Sequence, residues 1–110
     1  MPFLRFKGFE EEGLRQMLPS LTDDFSRVAG VPREVVKIEL LSITQVTATP
    51  RSLEIFMFGR DQAKHDAIAT TLHALLSGQG YAGVHIFFVL LDPALYYKEG
   101  MPLRTIPWPL

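Results

Sequence analysis

Residues 1–12 read MPFLRFKGFEEE: an alternating strand, a glycine stop and an acidic helix start. In the strand, Phe3, Arg5 and Lys7 point one way and Leu4 and Phe6 the other, because successive side chains of an extended chain leave opposite faces. Gly8 ends the run. Residues 10–29 follow as a helix, in which Leu14, Met17, Leu18, Leu21, Phe25 and Val28 recur at steps of three and four and form one apolar stripe. Glu10, Glu11 and Glu12 stand where negative charge suits the helix dipole. Pro19 lacks the N–H that a helix interior uses, so a kink or a split is predicted there. Gly30 suits the position just past a helix end, and Pro32 bars continuation.

A second unit of the same kind follows. Residues 35–46 (VVKIELLSITQV) are rich in β-formers, with Val36, Ile38 and Leu40 on one face and Lys37, Glu39 and Leu41 on the other. Residues 47–52 (TATPRS) read as a loop, and 53–58 (LEIFMF) as a third strand that Gly59 ends. Residues 61–77 form a second helix with Asp61 as N-cap, Ile68, Leu72, Leu75 and Leu76 as its buried stripe, and Gly78 and Gly80 as its stop. Residues 84–91 (VHIFFVLL) give a fourth strand. The rest is rich in proline and aromatic residues and is predicted to be extended. The order βαβ–βαβ predicts an α+β fold: two βαβ units in one domain, with a four-stranded sheet covered on one face by two helices. The domain is expected to span residues 1–103, with 104–110 as a Pro-rich tail. Two architectures share this order. One is the ferredoxin-like split βαβ, an effector-binding reading that requires strands one and two not to be neighbours. The other joins two adjacent βαβ units and usually trimerises.

Composition bounds the function. A chain of 110 residues, 47% apolar, has room for one core. Eleven Lys and Arg balance twelve Asp and Glu, for a formal net charge of −1 with no basic block. A nucleic-acid surface is therefore not expected, since phosphate binding needs a concentrated positive field. The absence of cysteine excludes disulfides, thiolate metal sites and cysteine nucleophiles. No apolar run reaches the roughly 18 residues of a bilayer span, and the N-terminus has no signal-peptide core, so a soluble cytoplasmic protein without membrane contact is expected. A domain this small buries only roughly 60–70% of its chain surface, so association into an oligomer would help it.

The helices are expected to cover the face of Leu4, Phe6, Ile38, Leu40, Ile55, Met57, Val84, Ile86 and Phe88. The opposite face then mixes Arg5, Lys7, Lys37, Glu39, Glu54 and His85 with Phe3, Leu41, Phe56, Phe87 and Val89. A wet sheet face explains the charges alone. The interleaved apolar groups point to partial burial at an interface or a pocket, with Lys37 available to pair with Glu39 or Glu54.

Pro2 follows the initiator methionine. Methionine before proline is normally removed, which leaves a free secondary amine at the start of a strand. An α-amino group titrates at about 7.7–8.0 in the open. Burial and nearby cations favour its neutral form. A neutral amine near pH 7 is a competent general base. The bland reading is that many chains begin Met-Pro without chemical consequence. What raises Pro2 above it is the strand that begins at once and holds it in place.

The stretches MPFLRFKGFEEE, EIFMFGRDQ and LDPALYYKEGMPL, together with the spacing of elements, resemble the tautomerase superfamily, whose members include 4-oxalocrotonate tautomerase and macrophage migration inhibitory factor. The closer similarity is to an uncharacterised bacterial family within it. The resemblance covers most of the chain up to Leu103. It implies a homotrimer with pockets between subunits. It also implies cofactor-free keto–enol chemistry with Pro2 as the amino-terminal base. Lys37 falls where 4-oxalocrotonate tautomerase has an arginine early in the second strand; it keeps the charge but not the bidentate fork. A second arginine of that enzyme has no counterpart in Gly8-Phe9-Glu10-Glu11. Val31 stands where macrophage migration inhibitory factor has a lysine. These departures weigh against a dicarboxylate substrate.

Other candidates have a bland alternative each. Arg60, after Gly59 at a strand-to-helix junction, is placed to meet an anionic ligand or is a surface arginine. Arg5 either sits beside Pro2 in the site or is simply solvated. Tyr97 can donate a phenolic hydrogen bond to a developing enolate, while Tyr96 is expected to pack on the sheet edge. Trp108 in the tail either clamps a neighbouring subunit or does nothing. His65, His73 and His85 lack metal-ligand spacing, so no metal is expected. The site expected is thus Pro2 as base, Lys37, Arg5 or Arg60 for the anionic group, and Tyr97, acting on a small 2-keto or enol carboxylate. The alternative is a non-catalytic trimeric binding or structural module of the same fold.

Overall fold

A computed structural model describes residues 2–103. Met1 and residues 104–110 lie outside the described residues, and with them the removal of Met1, the Pro-rich tail and Trp108. The elements run β1 (Phe3–Lys7), α1 (Glu11–Ala29), a 3₁₀ turn (Arg33–Val35), β2 (Lys37–Leu41), β3 (Ser52–Phe58), α2 (Gln62–Gly78) and β4 (His85–Leu91). A second 3₁₀ turn (Pro93–Leu95) leads into a small hairpin, β5 (Tyr97–Lys98) and β6 (Met101–Pro102).

The sheet order is β2-β1-β3-β4. β1 runs parallel to β2 and antiparallel to β3, and β3 runs parallel to β4. Each parallel pair is joined through a helix, as a parallel connection requires. Strands one and two are neighbours, so the ferredoxin-like alternative falls.

Alternation sets the core. Leu4 and Phe6 of β1 and Leu53, Ile55 and Met57 of β3 lie on one face and are buried. They meet Leu14, Met17, Leu21 and Phe25 of α1 and Ile68, Leu72 and Leu76 of α2 in a single cluster, with Ile38, Leu40, Ile86 and Phe88 of the edge strands packed against it. That is the face the sequence assigned to the helices.

Three local expectations change and that for Gly30 holds. α1 is not split at Pro19, and one helix runs through it. Gly30 ends α1 in the left-handed region at φ 72°, and its N–H donates to the Ser26 carbonyl. β2 is shorter than residues 35–46, because its only partner among the described residues is β1, whose last paired residue, Lys7, faces Leu41. Beyond that pair no described residue continues the ladder. The expected extended tail turns back as the β5–β6 hairpin, with Glu99 and Gly100 both at positive φ, the geometry that a two-residue hairpin turn demands.

Candidate functional site

One end of the sheet gathers most of the expected site residues. The register places the start of β1 beside the start of β2, since Phe3 pairs with Lys37. Phe3 also pairs with Phe56, so the end of β3 lies at the same end. Phe58 pairs with Leu91, which brings the end of β4 there as well. Pro2 is buried at this end, and its carbonyl accepts the Lys37 backbone N–H at 3.0 Å. Parallel pairing therefore ties the candidate base and the candidate cation to each other through the main chain.

Gly59 and Arg60 follow Phe58 at the same end and lead into α2. Asp61 caps the helix, its carboxylate accepting the Lys64 N–H at 2.8 Å. Gly59, Arg60, Asp61 and Lys64 line an open cleft of about 260 Å³. The Arg60 Nη1 donates to the Phe58 carbonyl at 2.8 Å, and its Nε is buried without a hydrogen-bond partner among the described residues. Burial lowers the Arg60 pKa from its ordinary value, because taking a guanidinium out of water disfavours its charged form. Arginine stays charged all the same.

Lys37 is exposed and its Nζ donates to the Val35 carbonyl at 3.1 Å. Neither Lys37, Arg60 nor Lys64 pairs with a carboxylate among the described residues, whereas Arg5, Lys7, Arg15, Arg27, Arg33 and Arg51 all do. Lys98 of the hairpin is likewise without one among the described residues, and neither Pro2 nor Lys37 lines the cleft of Arg60 and Lys64, so the structure ties Pro2 to Lys37 through the main chain and places Arg60 beyond the end of β3 at the same end of the sheet.

Arg5 does not join them. It lies three residues further along β1, about 10 Å at the usual strand rise, on the open face. There its Nε meets Glu39 at 3.0 Å and its guanidinium stacks on the Phe56 ring at 4.5 Å. Tyr96 packs edge-on against Phe58 at 5.9 Å, the bland reading given to it. Tyr97 stands 59% exposed on the hairpin. The expected pairing of Lys37 with Glu39 or Glu54 does not form; Glu39 takes Arg5 and Glu54 takes Lys7 at 2.7 Å. No group of three or more His, Asp or Glu that could hold a metal comes together among the described residues.

His65, which has no metal-ligand spacing, serves as a hydrogen-bond acceptor. His65 is buried in the first turns of α2, and its Nε2 accepts the Arg60 backbone N–H at 3.0 Å. The signal was available: His65 precedes Ile68 by three residues and so falls on the stripe of Ile68, Leu72 and Leu76.

A family model described as a domain of unknown function, DUF1904, matches residues 1–102. The chain belongs to the DUF1904 family. A DUF1904 structure from Sebaldella termitidis is 25% identical and superposes with a TM-score of 0.83, covering 93% of this chain and 99% of that one. A protein of unknown function from Vibrio cholerae O1 biovar eltor gives a TM-score of 0.85 at 24% identity, covering 92% of this chain and 86% of the other. The fold extends to tautomerase-superfamily structures. One described as an R7 fused 4-OT wild-type asymmetric trimer gives a TM-score of 0.77 at 17% identity over 93% of this chain and 96% of that one. No curated protein matches the chain. This DUF1904 member therefore has the α+β fold that 4-OT-type enzymes also use, and at such identities the likeness concerns the fold alone. No helix among its described residues is long and apolar enough to cross a membrane.

Proposed function

We propose that the protein is a cofactor-free tautomerase or isomerase that moves a proton between oxygen and carbon on a small 2-keto or enol carboxylate. The observation that carries this reading is Pro2, buried at the start of β1 at the sheet end where Lys37 and Arg60 lack carboxylate partners. Removal of Met1 frees the Pro2 secondary amine. Burial and neighbouring positive charge keep that amine neutral near pH 7. It accepts the proton of the enol hydroxyl as the carbonyl forms, and the resulting ammonium returns a proton to the adjacent carbon. Arg60 and Lys37 hold the carboxylate, with Arg60 supplying the planar fork. Arg5, engaged with Glu39 and Phe56, is the less direct candidate. Tyr97, exposed on its hairpin, is available to a pocket shared with a second subunit of a homotrimer. In that assembly the open sheet face, with Phe87 45% exposed beside the Arg5 and Lys7 ion pairs, is covered.

A second reading, a non-catalytic binding module, draws on the Lys37 and Arg60 hydrogen bonds to Val35 and Phe58 carbonyls, which use part of their donor capacity. One experiment separates the two. Untagged protein and its Pro2→Ala variant, each with its N-terminus established by intact mass, are assayed for ketonisation of phenylenolpyruvate. Activity that falls at least about a hundredfold with Pro2, as expected for loss of a general base, supports the tautomerase. Equal rates in both, or retention of Met1, eliminates Pro2 as the base.

A further inference from the structure

His65 is the buried polar side chain of the described core, 9% exposed on a stripe otherwise made of Ile68, Leu72 and Leu76. Its ring packs edge-on against Phe88 at 4.4 Å. A leucine would complete the stripe, so packing alone does not call for an imidazole. What the imidazole adds is an acceptor: Nε2 takes the Arg60 backbone N–H at 3.0 Å. That N–H precedes the N-cap Asp61 and lies outside the hydrogen-bond ladder of α2. An accepting Nε2 leaves the single proton of a neutral imidazole on Nδ1. Nδ1 is buried and has no hydrogen-bond partner among the described residues. His65 does not line the cleft of Gly59, Arg60, Asp61 and Lys64, so it acts there only through the turn it grips.

We propose that His65 is a positioning residue for Arg60. Its Nε2 fixes the main chain at Arg60 while the Phe58 carbonyl holds Nη1 at 2.8 Å, so the guanidinium is directed at one point of the cleft before a ligand arrives. Preorganisation of this kind raises affinity by removing an ordering cost from binding. The inference rests on the reading that Arg60 holds the carboxylate, and the test separates the two.

The full chain is titrated with pyruvate and followed by ¹⁵N NMR, alongside His65→Phe, His65→Gln and Arg60→Ala. His65→Phe keeps a ring against Phe88 and removes the acceptor. His65→Gln returns an acceptor at the same reach. The expected result is pyruvate affinity about five- to tenfold weaker in His65→Phe, the scale of one lost hydrogen bond. Affinity within about twofold of the parent is expected in His65→Gln, because the acceptor is restored. In the unsubstituted protein, His65 Nδ1 should be protonated and Nε2 unprotonated, and the Nε2 and Arg60 amide signals should move together as pyruvate binds. Should His65→Phe not fold, that nitrogen spectrum decides alone. A proton on Nε2, or Arg60 side-chain signals that respond while Nε2 stays still, overturns the proposal. Loss of binding in Arg60→Ala with none in His65→Phe overturns the role of His65 only. Undiminished binding in Arg60→Ala overturns the Arg60 reading and the His65 role with it.

Discussion

Replacing Pro19 with alanine is expected to stabilise the protein. Pro19 lies in the middle of α1, which runs unbroken from Glu11 to Ala29, and it is exposed. Its ring offers no N–H to the Arg15 carbonyl and crowds that group. A proline inside a helix costs about 3 kcal/mol relative to alanine. An opposing effect comes from the unfolded chain, which gains freedom when proline is removed, worth about 0.4–1 kcal/mol. Because the side chain is exposed, no buried contact is lost. The net expectation is a gain of about 2 kcal/mol, equivalent to roughly 10 °C in Tm for a domain of this size. Urea unfolding followed by circular dichroism measures it, at a fixed protomer concentration so that any assembly contributes equally. The midpoint should rise with the slope unchanged. No gain, or a loss, would refute the reasoning, because it would mean that the proline costs this helix nothing or makes a contact the structure does not contain.

Two further outcomes follow from close packing and from charge. A methyl group at Gly13 in α1 would run into the Tyr81 hydroxyl, whose ring is set between Phe9 and the Arg51 guanidinium, so Gly13→Ala should destabilise by about 1 kcal/mol despite the better helix former. In a Tyr81→Phe background the same change should become neutral or stabilising, and a double-mutant cycle that finds no coupling would contradict this. The Lys7–Glu54 pair, 33% and 15% exposed, should show a coupling near the top of the range for surface pairs, about 1 kcal/mol, while the more open Arg5–Glu39 pair, 40% and 49% exposed, should show only a few tenths and lose it in high salt.

The elements were readable because periodicity and stop residues agree. Leu14, Met17, Leu21 and Phe25 mark the buried side of α1, and Leu4, Phe6, Ile55 and Met57 mark the core side of the sheet. What failed was local to contacts that composition cannot express. β-formers at 42–46 looked like strand, but β1 ends before it can pair with them, and Val46 is 94% exposed. Pro19 looked like an interruption, but a helix anchored on both sides of it by buried Leu14, Met17, Leu21 and Phe25 keeps its course. His65 was judged by the spacing that metals need and not by its place on the apolar stripe, so its acceptor role was missed. Of the expected site residues, Pro2 and Lys37 lie side by side because β1 pairs with β2, and Arg60 follows β3 at the same end of the sheet, a fact of topology that no single segment encodes.

The charges on the open face separate structure from chemistry. Lys37 and Glu39 are two apart on one strand, whereas Arg5 faces both Glu39 and Glu54 directly across neighbouring strands. Residues directly opposite approach to about 5 Å, closer than same-face residues along a strand at roughly 6.7 Å. Cross-strand pairing therefore wins, and Glu39 goes to Arg5. The diagonal neighbour Lys7 then takes Glu54. These two pairs neutralise the middle of the face with one acid for each base. They leave Lys37, at the strand start, and Arg60, beyond the strand end, without acids to answer them among the described residues. A cation that the fold does not neutralise costs solvation when it is covered, and burial pushes the Arg60 pKa down for that reason. Such a cost is offset when a carboxylate binds beside it. The two ion pairs add little to a sheet held by its backbone ladders and core, and their consequence is that the acids of this face are taken, so Lys37 is left without one among the described residues.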